Sequence, residues 1–207
     1  MTWFLRNWPD VLYALWEHIA ISFTALVIAF ALSLAIGVLA ARRARLYGAV
    51  MTVSGVLYTI PTLAFLAFLI PLVGLGRSNA IITMVAFSLM ILIRSVATGI
   101  REVPAEVIDA ARGMGMAPRQ ILRQIELPLA LPLIVAGLRV SAVTVISVTV
   151  VAAYVNAGGL GTLIFNGIAS DHPAKIWAGA LTACALAVTV DLLLAWLERH
   201  LKAGHAA

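Results

Sequence analysis

Charged residues divide this chain into long uncharged runs. Residues 19–41 carry no charge over 23 positions, residues 46–76 none over 31, and residues 78–93 none over 16, with the last run extending to Ile100 past Arg94. After a charged gap, residues 127–138 and 140–170 flank the lone Arg139, and residues 176–190 continue past Asp191 to Leu197. About 20 apolar residues in a helix cross the hydrocarbon of a bilayer. The pattern therefore predicts five spans, near 19–41, 50–73, 79–100, 131–154 and 176–197. The 46–76 run is too long for one span and too short for two. Pro61 is expected to kink it and Pro71 to end it, because proline removes a helix hydrogen bond and crowds the preceding turn. Residues 154–170 hold Gly158, Gly159, Gly161 and Gly167, which predicts an irregular or re-entrant segment rather than a sixth helix.

Composition excludes a soluble fold. The 207 residues are 63% hydrophobic and 11% charged, with a mean hydropathy of +1.06, against about 25% charge in soluble domains. An all-α integral membrane protein follows. The net charge of +5 records orientation, not a nucleic-acid surface. Eleven Lys and Arg residues fall on the side that holds the loops after the first and third spans and the C-terminus, and three (Arg6, Arg77 and Lys175) on the other. Lys and Arg gather on the cytoplasmic side, so the N-terminus is expected outside and the C-terminus in the cytoplasm. Asp10 and Glu17 interrupt the N-terminus in a way a cleaved signal would not. Phe4, Trp8, Leu15 and Ile19, with Trp3 and Trp16 nearby, predict an amphipathic segment in the outer interface. The expected organisation is an interfacial segment at 1–18, one transmembrane domain at 19–200 carrying a cytoplasmic loop at 101–128, and a cytoplasmic tail at 201–207.

No enzyme chemistry is visible. The only lysines, Lys175 and Lys202, follow Ala174 and Leu201, so there is no Walker A sequence. His18, His172, His200 and His205 are scattered, and Cys184 is the single cysteine; no metal or catalytic residue is expected. Arg94, Arg139 and Asp191 lie inside or at the ends of spans, which predicts snorkelling or a pair between Asp191 and one of the two arginines. Asp191 is the sole carboxylate within a predicted span. That leaves an ion-coupled carrier, with buried carboxylates and inverted repeats, poorly supported. A mere membrane anchor would not explain the loop.

That loop holds the most information. Pro104 and Pro118 suit the start of helices, and Gly113 and Gly115 suit the turn between them. Two short helices are expected, each too short to stand alone in water, so a groove on a cytoplasmic partner is expected to support them. Asp109-Ala110-Ala111, three residues, Gly115, nine residues, then Ile125-Glu126-Leu127-Pro128 resembles the EAA loop of ABC-importer permeases, whose pattern is E-A-A-x3-G-x9-I-x-L-P. Asp109 departs from it by keeping the charge on a shorter stem. Tyr58-Thr59-Ile60-Pro61-Thr62-Leu63-Ala64, the stretch from Ile70 to Gly76, and Ala157-Gly158-Gly159-Leu160-Gly161 are similar to permeases for glycine betaine, carnitine, choline and proline betaine. Methionine-importer permeases carry a similar glycine-rich segment.

The resemblance implies a type I ABC-importer permease fold in a bacterial cytoplasmic (inner) membrane, with no cofactor on this chain. ATP and Mg would be bound by a separate cytoplasmic ATPase subunit. A second permease copy or a paralogue would complete the pathway, and an extracytoplasmic substrate-binding protein would deliver the solute. Glu106, Asp109, Ala110, Ala111, Gly115, Ile125, Leu127 and Pro128 would couple the chain to the ATPase. Tyr58, Thr59, Pro61, Tyr154 and Asn156 are the candidate pathway residues. The transported solute would be an osmoprotectant, with methionine or another small solute as the alternative.

Overall fold

The computed structural model describes residues 6–203. The contributions expected from Trp3 and Phe4, and tail residues 204–207 with His205, lie outside them. Eight helical elements follow one another: α1 (Trp8–Arg42), α2 (Ala44–Thr59), α3 (Thr62–Val73), α4 (Arg77–Arg101), α5 (Ala105–Gly113), α6 (Pro118–Val155), α7 (Leu160–Ala169) and α8 (Pro173–Ala203). Four of these (α1, α4, α6 and α8) are long and apolar enough to cross a membrane, and α2 with α3 adds a fifth as a broken pair. α4 packs between α1 and α6, and α8 lies against α6 and α7. α1 and α4 run parallel, since Arg101 at the end of α4 reaches carbonyls at the end of α1. α6 starts beside that same end and runs back.

Two apolar clusters hold the long helices together. Toward the loop, Val96 and Ile100 of α4 meet Ala130 and Ile134 of α6, flanked by Phe30 and Leu34 of α1. Toward the opposite end, Ile21, Leu66, Met84, Val145 and Val155 form the second. The outer surface is apolar as well, as a lipid solvent requires. On α8, Trp177 and Trp196 are both exposed. They stand nineteen residues apart, about 28 Å along a helix, close to the roughly 30 Å of a bilayer core with its aromatic belts.

Several expectations for individual segments are refined or corrected. α1 runs unbroken from Trp8 to Arg42, so the described part of the expected interfacial segment and the first span lie on one helix. Glu17, within α1, is paired with Arg77. Trp8, Leu12 and Trp16 are exposed, whereas Leu15 turns inward onto Ala14, Leu160 and Ala183. The second span does not merely kink: α2 and α3 meet at 99°. Ile60 is extended, at φ −70° and ψ 128°, as the residue before a proline is driven to be. Pro71 does not end that span either. It lies inside α3, which stops at Gly74 with φ +76°. Finally, the second loop helix is not a separate short piece but the first turn of α6, which extends the fourth span back to Pro118.

The glycine-rich segment is irregular only at its start, and residues 160–169, expected not to be helical, form the short helix α7. Asn156 adopts a left-handed conformation at φ 62°, Gly158 and Gly159 follow at φ 95° and 81°, and α7 is too short to cross. Close packing of α1 on α4 depends on Gly37, where an added Cβ would lie 2.7 Å from Val96 Cβ and Cγ1. Gly37→Val is therefore expected to lower the thermal midpoint of the detergent-solubilised protein by an over-packing cost of about 1–3 kcal/mol. Gly48→Ala, with nothing within 4 Å, is expected to be neutral or stabilising by about 0.5–1 kcal/mol.

Candidate functional site

α5 presents its face by virtue of how it ends. Met116 N–H donates to Ala111 O at 3.1 Å and Gly115 N–H to Arg112 O at 2.9 Å, the paired 6→1 and 5→2 bonds of a Schellman turn. Gly115 takes the left-handed position at φ +79°. Around this turn Glu106, Asp109 and Ala110 are exposed, while Ala111 is fully buried on the inner side. Asp109 is bonded to Arg112 at 3.0 Å. The loop thus offers a short, small-residue surface edged with carboxylates. Among its predicted residues, Glu106, Asp109, Ala110 and Gly115 lie at this exposed tip. Ile125, Leu127 and Pro128 are half-buried at the root.

The root is built by Pro128. Its ring has no N–H for the carbonyl of Gln124 and crowds it, and the helix answers with a π turn at Leu122–Glu126. Leu127 N–H accordingly donates five residues back, to Leu122 O. Leu127 then packs onto the Val96–Ile134 cluster, which ties the loop to the membrane core. Glu126 in that turn is buried and paired with Arg42. Arg101, at the loop's start, donates to Ala40 O at 2.8 Å and Ala41 O at 3.1 Å, with Tyr47 stacked 4.3 Å from its guanidinium. Both ends of the loop are fastened to the same terminus of α1. Arg42, Arg101 and Glu126 were not singled out in the sequence. The available signal was a carboxylate at a membrane margin with arginines on the same side.

The candidate pathway residues form two groups. Tyr58 and Thr59 end α2 beside Pro61 at the break, and Tyr58 lies edge-on to Phe87 at 6.1 Å, itself 5.5 Å from Phe65. Tyr154 and Asn156 sit at the far end of α6, Tyr154 edge-on to Phe165 at 6.0 Å. The groups differ in depth. Val155 O accepts Gly76 N–H at 2.8 Å, whereas Phe87 is eleven residues further along α4, about 16 Å away.

Two further polar networks hold the helices. Arg139 makes a two-pronged contact with Asp191 and lies 3.7 Å from Glu198, so Arg139, not Arg94, is the partner of Asp191. At the end away from the loop, His18 is fully buried. Its Nε2 donates to Ile146 O at 3.1 Å and its Nδ1 accepts Leu160 N–H at 3.3 Å, a pattern that needs the neutral, Nε2-protonated ring. Glu17 accepts Gly159 N–H at 3.3 Å. Neighbouring residues of α1 thereby hold the glycine-rich turn in place.

A bundle of lipid-facing helices, with a broken span and a loop rooted in the bundle core, defines a multi-pass transport permease. The chain belongs to the family of binding-protein-dependent transport system inner membrane components, whose pattern matches residues 33–203. It is 38% identical to the carnitine transport permease protein OpuCB of Listeria monocytogenes, over 97% of this chain and 92% of that relative. It is 36% identical to the choline transport system permease protein OpuBB of Bacillus subtilis (strain 168), over 94% and 90%. To the glycine betaine/carnitine/choline transport system permease protein OpuCD of the same organism it is 39% identical, over 97% and 88%. In structure it is similar to an inward-facing MetNI methionine ABC transporter, with a TM-score of 0.83 at 25% identity, covering 92% of this chain and 95% of that one. The fold is that of a type I ABC-importer permease.

The His18 contacts predict a specific fault. His18→Leu leaves the buried Leu160 N–H without its acceptor, at a cost of about 1–3 kcal/mol. It should lower the midpoint in a thermal ramp read by size-exclusion chromatography. His200→Leu, on an exposed residue, should stay within about 0.5 kcal/mol of the parent.

Proposed function

We propose that the chain is the permease subunit of an ATP-driven importer for osmoprotectants, quaternary amines of the glycine betaine, carnitine, choline or proline betaine kind. The importer reading is carried by the exposed α5 tip and its Gly115 turn, rooted through Pro128 in the membrane core. A separate cytoplasmic ATPase docks on that tip through Glu106, Asp109 and Ala110, with Ala111 packed beneath them, and binds the ATP and Mg. Ile125, Leu127 and Pro128 carry its motion into α4 and α6. The N-terminus lies outside and the C-terminus in the cytoplasm, so that the loop meets the ATPase. Transport then follows from one two-state element, inward-open against outward-open, that nucleotide and solute both bias.

The solute class rests on the named relatives, which are similar along nearly their whole length. Local chemistry supports it. At the 99° break, α2 and α3 leave backbone carbonyls without helical donors, and such groups are not tolerated against lipid. Pro71 adds another by withholding an N–H from Ala67 O. That face therefore turns to a water-filled path or to a second permease, which is a copy of this chain or a paralogue. Tyr58, with Thr59 and Pro61, stands there beside Phe65 and Phe87, and aromatic faces attract quaternary ammonium groups. Tyr154 and Asn156 line the outer entrance, where an extracytoplasmic binding protein delivers the solute. The likeness to MetNI favours methionine as the second reading.

The test is ATP-driven uptake of labelled glycine betaine into liposomes by the complex purified with its co-expressed neighbours. Uptake with a co-purifying ATPase supports the reading. An ATPase with methionine but no betaine uptake would move the solute to the second reading, and no ATPase under several mild detergents would overturn the docking loop. In the same assay Gly115→Val should keep ATP hydrolysis but lose uptake. The left-handed position costs a side chain about 1–2 kcal/mol, enough to shift the docked loop population roughly 5–30-fold.

A further inference from the structure

Glu126 is a carboxylate 1% exposed, at the point where the loop becomes a membrane helix. Its Oε2 is paired with Arg42, and its Oε1 finds no partner among the described residues. A buried charge compensated by one guanidinium is a high-stakes contact, because losing the partner leaves the charge stranded. Arg42 is 46% exposed, so it is free to move where Glu126 is not. Room exists as well. A cavity of about 460 Å³ adjoins the pair, lined by Arg42 and Glu126 and also by Arg112 and Arg119 of the loop. A carboxylate released by Arg42 would still face guanidinium groups.

The surroundings make this contact different from a static brace. The other end of the loop is tied to α1 through Arg101 and two backbone carbonyls, bonds to main chain that no side-chain rearrangement of α1 releases. The Arg42 contact is side chain to side chain, and it is made in a π turn, a widened turn often found at functional sites. One end of the loop is thus held to the terminus of α1 by two bonds to main chain, and the other by a charge pair that depends on a side chain at both positions.

We infer that Arg42 and Glu126 form a coupling latch: Glu126 is a positioning residue that transmits movement of the docked loop to the first span. The inference rests on the importer reading above. When the loop is pulled, the π turn shifts, and the pair either drags the end of α1 with α6 or lets go toward Arg112 and Arg119. While the pair holds, with a cation at position 42 and an anion at position 126, α1 moves in step with the loop; once it lets go, that link is broken.

The experiment measures labelled glycine betaine moved per ATP hydrolysed by the reconstituted complex, together with the amount of ATPase that co-purifies. Arg42→Gln and Glu126→Gln are expected to retain the ATPase and its hydrolysis while solute moved per ATP falls at least about fivefold, the lower end of ordinary coupling energies. Arg42→Lys, which keeps the charge, is expected to stay near the parent ratio. A parent ratio in Arg42→Gln overturns the latch, as does a loss of uptake that follows only the amount of assembled complex. Should Glu126→Gln fail to accumulate, Arg42→Gln and Arg42→Lys, on the exposed side of the pair, still decide the matter. A parent complex that moves no solute on ATP addition would bring down the importer reading itself, with the latch along with it.

Discussion

Every peptide group within a bilayer must find its partner inside the protein, and this constraint shapes the rest of the structure. It accounts for the four long unbroken helices and makes the departures from them informative. Each departure inside the bundle is answered by a particular side chain. The end of α3 is held by Asn79, buried, whose Nδ2 donates to Leu66 O at 3.1 Å and Gly74 O at 3.0 Å. The glycine-rich turn gives its N–H groups to Glu17 and His18. The proline at the start of the fourth span is absorbed by a π turn. At the α2–α3 break Thr59 Oγ1 donates to Val56 O at 2.7 Å, and the carbonyls that follow have lost their helical donors, so the backbone itself argues against a lipid neighbour.

The same low dielectric governs the charges. Buried or half-buried carboxylates join separate elements to one another: Glu17 joins α1 to α4 and the turn, Glu126 joins α6 to α1, and Asp191 joins α8 to α6. Each is met by an arginine, whose planar fork suits a carboxylate and stays charged in such surroundings. The apolar faces supply no comparable specificity between helices, since lipid tails solvate a Leu as well as another helix does. Small residues and paired charges therefore decide which helices meet and in what register.

Much of this was legible beforehand. The uncharged runs located the spans because the bilayer sets one length for all of them, and the spaced loop residues pointed to the permease family. What the sequence hid depended on partners far away in the chain. Glu126 occupies an unspecified position of the loop pattern, and only its pairing with Arg42, 84 positions away, marks it out. The choice of Arg139 over Arg94 by Asp191 is a matter of helix rotation, which periodicity in an almost uniformly apolar helix does not reveal. The 99° bend exceeded expectation because a proline announces a break but not its angle. The angle is set by what the two halves pack on, here Phe65, Leu69 and Phe87.

The contrast between loop and pathway has a physical origin. The loop's residue types are set by close internal packing at Ala111, backbone sign at Gly115 and the missing amide at Pro128, and each leaves a spaced signature. A pathway needs only to avoid holding its solute too tightly. Tyr58 and Tyr154 are ordinary interface residues in every respect except their position beside backbone that lipid could not cover. The strongest argument for the route is therefore made by the main chain around Ile60 and Pro61. A backbone broken there makes that face a poor one to surrender to lipid, whichever side chains stand beside it.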